Sequence, residues 1–162
     1  MENMVEVAGW KLDSCDDGPG VRSVLFLQGC RKNCPGCQNA QTHKRGEGKW
    51  MNVLELCQEA EENCCGKRIT ISGGEPLEQL SGLMDLLHGL RHKDFDICLY
   101  TGWNLDEVPR EILFQIDYLK VGSFEVEKKD AALQYVGSWN QHFYHVKKGL
   151  LFEVNIGHTL CA

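Results

Sequence analysis

Apolar residues in this chain fall into short β-type runs separated by stretches with helical spacing. Val21 to Leu27 (VRSVLFL) is rich in β-branched and apolar side chains and predicts a buried strand. Ile69 to Ser72, Ile97 to Tyr100 and Tyr118 to Val121 predict further strands. Val53, Leu56, Cys57 and Ala60 share one face of a helix ending near Cys64, with Asn52 as its cap and Glu55 as capping-box partner. Leu80, Leu83, Met84, Leu87 and Leu90 mark a second helix over about Leu77 to His92. Asn104 with Glu107 can cap a third, reaching about Gln115. Phe143 to Lys147 and Leu151 to Val154 predict a final hairpin around Gly149.

Strand–helix alternation predicts βαβ units and a mainly parallel sheet. A closed eight-fold barrel takes about 250 residues. The 162 residues here predict a partial, open β/α barrel of α/β class, as a single domain over 1–162. Chemistry in such sheets sits at the carboxyl ends of the strands. Three unusual loops fall there: a cysteine-rich loop after Leu27, Gly73-Gly74 after Ser72, and Thr101-Gly102 after Tyr100.

The cysteine loop carries the sharpest chemical signal. Cys30, Cys34 and Cys37 stand in a C-x3-C-x2-C run. Three such thiolates suit a cubane iron–sulfur cluster with one iron free of protein ligands. The alternative on local spacing is zinc held by the same cysteines with His43 as fourth ligand. The other six of the nine cysteines, Cys15, Cys57, Cys64, Cys65, Cys98 and Cys161, are scattered and predict small core or surface residues.

Composition narrows the setting. Met1 to Trp10 carries acids and no apolar core, so no signal peptide is predicted and the thiols are expected to stay reduced in the cytoplasm. No run approaches the roughly 18 apolar residues that span a membrane. The net charge of −6, from 17 basic and 23 acidic side chains, argues against nucleic acid as partner. The basic run His43-Lys44-Arg45 reads as a solvated surface, as do Asp13, Asp16 and Asp17.

Ser72-Gly73-Gly74-Glu75-Pro76 reads as a binding loop. Two glycines at a strand end let a ligand approach the backbone. The carbonyls and Glu75 can accept bonds from an ammonium group. The alternative is an ordinary turn with Pro76 opening the next helix.

Together these residues resemble the radical S-adenosylmethionine superfamily: the three cysteines match its cluster motif, and Gly73, Gly74, Glu75 and Pro76 match its element that holds the methionine amino group. Asp17-Gly18-Pro19-Gly20-Val21-Arg22 is similar to the glycyl-radical-enzyme activases. Within these, Cys34-Pro35-Gly36-Cys37-Gln38-Asn39, the stretch Asp117 to Phe124, and Gly137-Ser138-Trp139-Asn140-Gln141 resemble the anaerobic ribonucleotide reductase activating proteins. The resemblance spans roughly Asp17 to Lys148. One departure from the wider superfamily is Gly36, where an aromatic residue near the adenine is common.

The resemblance implies a 4Fe-4S cluster on Cys30, Cys34 and Cys37 that cleaves S-adenosylmethionine reductively. It implies a 5′-deoxyadenosyl radical that takes hydrogen from a glycine of the reductase large subunit. Cofactor contacts are expected from Gly36, Cys37, Gln38 and Asn39, from Gly73, Gly74 and Glu75, and from Thr101 and Gly102. A flavodoxin or ferredoxin is the expected electron donor. Other glycyl radical enzymes of the formate-lyase type, or a small molecule, are alternative targets. Phe124, Tyr135, Trp139, Phe143 and Tyr144 make Gly122 to Lys148 a candidate docking segment.

Overall fold

A computed structural model describes residues 3–157. It contains β1 (Met4–Ser14), β2 (Arg22–Leu27), β3 (Lys49–Asn52), α1 (Val53–Asn63), β4 (Arg68–Gly73), α2 (Leu80–His92) and β5 (Asp96–Tyr100). There follow α3 (Arg110–Leu113), β6 (Tyr118–Val121), β7 (His142–Lys147) and β8 (Leu150–Glu153). All eight strands join one sheet in the order β3-β1-β2-β4-β5-β6-β7-β8. The central run β2, β4, β5 and β6 is parallel, and the strands flanking it pair antiparallel.

Alternation gives the sheet two different faces. Leu25, Leu27, Ile69, Ile71, Ile97, Leu99, Leu119 and Val121 point to one side and pack against Leu56, Ala60, Leu83, Leu87 and Leu90 of α1 and α2. The opposite face is polar in its parallel part. Val24, Thr70, Cys98, Tyr118 and His145 lie in register across it. Tyr100 and Lys120 pair one step closer to the carboxyl ends. A second core of Cys98, Tyr100, Leu133, Val136 and Phe143 covers part of this face.

Arg22 is buried on that face at the start of β2. Its guanidinium donates to the carbonyls of Pro19, Ile69 and Asp96 and pairs with Asp96 Oδ1 at 2.6 Å. It also lies 5.7 Å from the centre of the Tyr118 ring.

Two expectations change. The third helix is interrupted: Leu105–Glu107 forms a 3₁₀ turn, Val108 is extended, and α3 begins after Pro109. Proline lacks an N–H and disfavours helical geometry in the residue before it. The strands β1 and β3 were not foreseen. β1 pairs antiparallel with both β2 and β3, Val5 and Val7 join the core, and Glu6 between them is buried yet satisfied, accepting from Gly46 N–H (2.7 Å) and Gly48 N–H (2.9 Å). Among the described residues no helix is long and apolar enough to cross a membrane.

Candidate functional site

The cysteine loop leaves β2 and is tied down at once. Gly29 N–H donates to the Thr42 carbonyl (2.7 Å), Cys30 N–H to that of His43 (2.8 Å), and Cys37 N–H to that of Cys34 (3.1 Å). Cys30, Cys34 and Cys37 are free and half-buried. Burial pushes the Cys30 thiol up, while the N–H groups of Lys32 and Asn33 oppose it. Asn39 N–H donates to Cys37 Sγ at 3.4 Å. All three thiols line one cavity of about 90 Å³, together with Asn39, Gly73, Gly74, Glu75, Thr101 and Gly102. The loops after β2, β4 and β5 thus meet.

The thiols fit a cluster. They lie in one loop, around one cavity, and two of them accept backbone N–H groups, contacts that tune iron–sulfur potentials. A cubane takes each thiolate on a different iron, so its ligands stand apart. Among the described residues no three His, Cys, Asp or Glu side chains converge as ligands of a single ion. His43, which forms part of a basic run in the sequence, also lines the cavity. Cys57 and Cys64 are buried, Cys15 and Cys65 are exposed, and Cys161 lies outside the described residues. Cys98 is buried on the inner face, and burial pushes its thiol up to about 12, which keeps it inert.

The two glycines line the cavity and also allow a close backbone approach. A Cβ on Gly73 would stand 2.3 Å from the Leu27 carbonyl oxygen. One on Gly74 would stand 2.3 Å from that of Gly29. What approaches these two Cβ positions is the backbone at the end of β2 and the start of the cysteine loop. Gly74 N–H donates to the Leu27 carbonyl and Glu75 N–H to the Gly29 carbonyl, both at 2.8 Å. The two loops are sewn together.

Glu75 is likewise engaged. It is 1% exposed. Its Oε1 accepts from Thr101 Oγ1 (2.7 Å) and Leu77 N–H (3.0 Å), and its Oε2 from Gly102 N–H (2.8 Å). Burial raises its pKa, and these donors oppose that. The carboxylate therefore holds the β4 and β5 loops together. Ser123 Oγ extends the chain of bonds, donating to the Gly102 carbonyl and accepting from Lys32 Nζ, both at 3.1 Å.

A second cavity of about 400 Å³ adjoins the first, sharing Cys37, Asn39, Ser72, Tyr100, Lys120 and Phe124 as walls. Gln38 lines this larger space. Gly36 reaches neither cavity. It takes a left-handed turn at φ +72°, and a Cβ there would meet Val126 at 3.0 Å and Phe124 at 3.7 Å. Phe124, from the loop after β6, thus presents an aromatic ring beside the position where Gly36 has none.

Lys120 was missed as a site residue. It lines both cavities, its Nζ 4.5 Å from the centre of the Tyr100 ring. Burial lowers its pKa, and the Glu75 charge opposes this. The usable signal was alternation in β6: Leu119 and Val121 face the helices, which turns Lys120 to the other face at a carboxyl end.

The candidate docking segment divides. Phe143 is fully buried and Tyr135 packs on it at 4.8 Å between ring centres, so both belong to the second core. Tyr144 packs against the main core. Gln141 folds the segment back, accepting from Gly137 N–H and donating to the Gly122 carbonyl, both at 2.8 Å. Trp139 stays 50% exposed, its Nε1 donating to Asp130 Oδ2 at 3.2 Å.

Residues 16–144 match the family described as 4Fe-4S single cluster domain. A Salmonella typhimurium protein named anaerobic ribonucleoside-triphosphate reductase-activating protein is 31% identical over 142 residues, covering 81% of this chain and 92% of its own. Its Escherichia coli namesake is 30% identical over the same shares. The Vibrio cholerae namesake is 32% identical over 136 residues, 77% of this chain and 88% of its own. The matched cluster domain spans every loop of the site, and these alignments run through most of both chains: this chain belongs to the family of the anaerobic ribonucleoside-triphosphate reductase-activating proteins.

Proposed function

We propose that this chain activates an anaerobic ribonucleoside-triphosphate reductase by generating a glycyl radical on its large subunit. The observation that carries the reading is the meeting of Cys30, Cys34 and Cys37 with the β4 and β5 loops around one cavity. When bound, a 4Fe-4S cluster and S-adenosylmethionine supply the one-electron cleavage that yields a 5′-deoxyadenosyl radical.

The protein's residues have defined parts in this reading. Cys30, Cys34 and Cys37 hold the cluster. Glu75 fixes the Thr101–Gly102 loop against the Gly73–Gly74 loop, so carbonyls at two strand ends face the methionine ammonium. Lys120 is the cation for the methionine carboxylate. Gln38, Asn39 and Phe124 wall the larger cavity, where the nucleoside lies. Trp139 stands on the outer surface for the reductase, with the aromatics behind it serving as core. The parallel centre and polar inner face of the sheet support an open, partial β/α barrel whose lumen is this site.

The test is anaerobic reconstitution with iron and sulfide, followed by reduction in the presence of S-adenosylmethionine. The expected result is a brown protein, 5′-deoxyadenosine release, and a glycyl radical signal by electron paramagnetic resonance once the reductase is added. Full cluster incorporation after Cys34→Ala, or no 5′-deoxyadenosine from the reduced holoprotein with reductase present, would refute the reading.

A further inference from the structure

The chain carries a net charge of −6, but its cysteine loop runs against that balance. Arg31 and Lys32 stand between Cys30 and Cys34, and both are exposed. The second basic run, His43-Lys44-Arg45, is distant in sequence. The fold places it alongside, through the bonds from Gly29 N–H to Thr42 and from Cys30 N–H to His43. Arg31 and Arg45 then share one acid, standing 3.7 Å and 3.8 Å from Glu78 Oε2. Lys44 pairs with Glu47. The result is a face with the cations Arg31, Lys32, Lys44 and Arg45 set against Glu47 and Glu78, and the Glu78 side chain is only 8% exposed. Arg31, Lys44 and Arg45 line neither cavity while Lys32 lines the smaller one, so the face runs outward from the rim of the site.

We propose that this face docks an acidic, low-potential one-electron carrier protein. The inference rests on the cluster reading above. The carrier is oxidised by one electron and the cluster reduced by one, and no bond is made or broken. Charge chooses this occupant. An acidic carrier is repelled by most of an acidic protein and attracted where the cations are gathered, which steers it to the loop that holds the metal. Attraction of this kind acts chiefly on encounter rate and fades with salt.

The experiment uses the reconstituted holoprotein and a flavodoxin as probe. Arg31→Glu with Lys44→Glu reverses two exposed charges without touching a thiol or a cavity wall. Affinity for oxidised flavodoxin is read by fluorescence anisotropy, and the rate of cluster bleaching by reduced flavodoxin by stopped flow. Both should fall at least tenfold at low ionic strength, and the deficit should shrink as salt rises. Reduction by photoreduced deazaflavin and iron content should stay at wild-type levels. Arg110→Glu with Lys147→Glu, an equal charge change elsewhere, should leave all readouts unchanged. Should the first pair lose iron, Arg31→Gln with Lys44→Gln takes its place, with a smaller deficit of the same salt dependence expected. Wild-type affinity and bleaching rates in the first pair, an equal deficit in the second, or a loss of reductase binding in place of flavodoxin binding would overturn the proposal. A wild-type holoprotein that no reductant bleaches would instead overturn the cluster reading.

Discussion

Gly74→Ala separates two reasons for a glycine in the loop after β4. If the position is open to a ligand, a methyl group weakens S-adenosylmethionine binding and leaves the rest intact. The structure predicts otherwise. The new Cβ would stand 2.3 Å from the Gly29 carbonyl oxygen and 2.9 Å from that of Thr42, both backbone atoms that cannot swing aside. The β4 loop must move off the cysteine loop. That strains the bonds from Gly74 N–H to Leu27 and from Glu75 N–H to Gly29. Overpacking costs about 1–3 kcal/mol and each weakened bond about 0.5–1.5 kcal/mol, so the loss is roughly 2–6 kcal/mol. For a chain of this size the melting midpoint should drop on the order of 10 °C. Iron incorporation should fall along with it, because Gly29 leads directly into Cys30. Gly46→Ala is the comparison, with left-handed backbone at φ +85° but nothing within 4 Å of the new methyl. It should cost only about 1–2 kcal/mol. Thermal melts of the apoprotein and iron assays of the reconstituted variants check both. A Gly74→Ala protein with wild-type melting and full iron, deficient only in S-adenosylmethionine binding, would show the reasoning to be wrong.

Phe124→Ala should weaken S-adenosylmethionine binding by about 1–3 kcal/mol, the scale of a base stacked on an aromatic ring, while iron content holds; Phe124→Tyr should restore it. Equilibrium dialysis decides, and unchanged affinity in the alanine variant would sink the stacking role. Lys120→Met should raise the dissociation constant for S-adenosylmethionine at least tenfold, as expected for a lost charge-assisted bond of about 1.5–3 kcal/mol, without lowering iron content. Glu75 predicts a pH effect. Its folded pKa lies above the ordinary 4.5, so its contribution to stability is complete below pH 4.5 and declines as pH rises through the folded value. Urea titrations of wild type and Glu75→Gln should therefore show the wild-type advantage shrinking with rising pH, and an advantage that grows would contradict burial as the dominant cause. Trp139→Ala should keep cluster, fold and uncoupled 5′-deoxyadenosine release but bind the reductase about 1–3 kcal/mol more weakly, a difference read by anisotropy; normal affinity would remove Trp139 from the interface.

The sequence was most informative where one side chain pattern had one physical cause. Ile69, Ile71, Ile97 and Leu99 announced buried central strands, and Leu83, Leu87 and Leu90 the helix that covers them. The cysteine spacing placed three thiols around one cavity because they lie in a single short loop. Readings that depended on distant partners were harder. Glu6 broke the apolar pattern of β1, and its burial is intelligible only once Gly46 and Gly48 supply their N–H groups. Glycine at 73 and 74 also answers to a close approach by the backbone at Leu27 and Gly29, which nothing local in the sequence announces. Gly36 lines neither cavity, and the aromatic ring beside it, Phe124, comes from the loop after β6, a neighbour its local sequence does not announce. Lys120 resembled any surface lysine until the neighbouring strands closed over it.

The buried Arg22 has a consequence for how the chain finds its fold. A guanidinium cannot shed its charge, so taking it out of water is unfavourable until every partner is ready. Besides the Pro19 carbonyl close by in sequence, those partners are the carbonyls of Ile69 and Asp96 and the Asp96 carboxylate, contributed at the starts of β4 and β5. They converge only when β2, β4 and β5 are aligned in the native register. A slip of one residue would turn Arg22 toward the apolar face among Leu25, Ile69 and Ile97, where no such partners wait. Hydrophobic strands such as VLFL and RITIS would otherwise tolerate many alignments. The single ion makes the wrong ones costly, acting as a selector of strand alignment during folding at the end of the sheet opposite the chemistry.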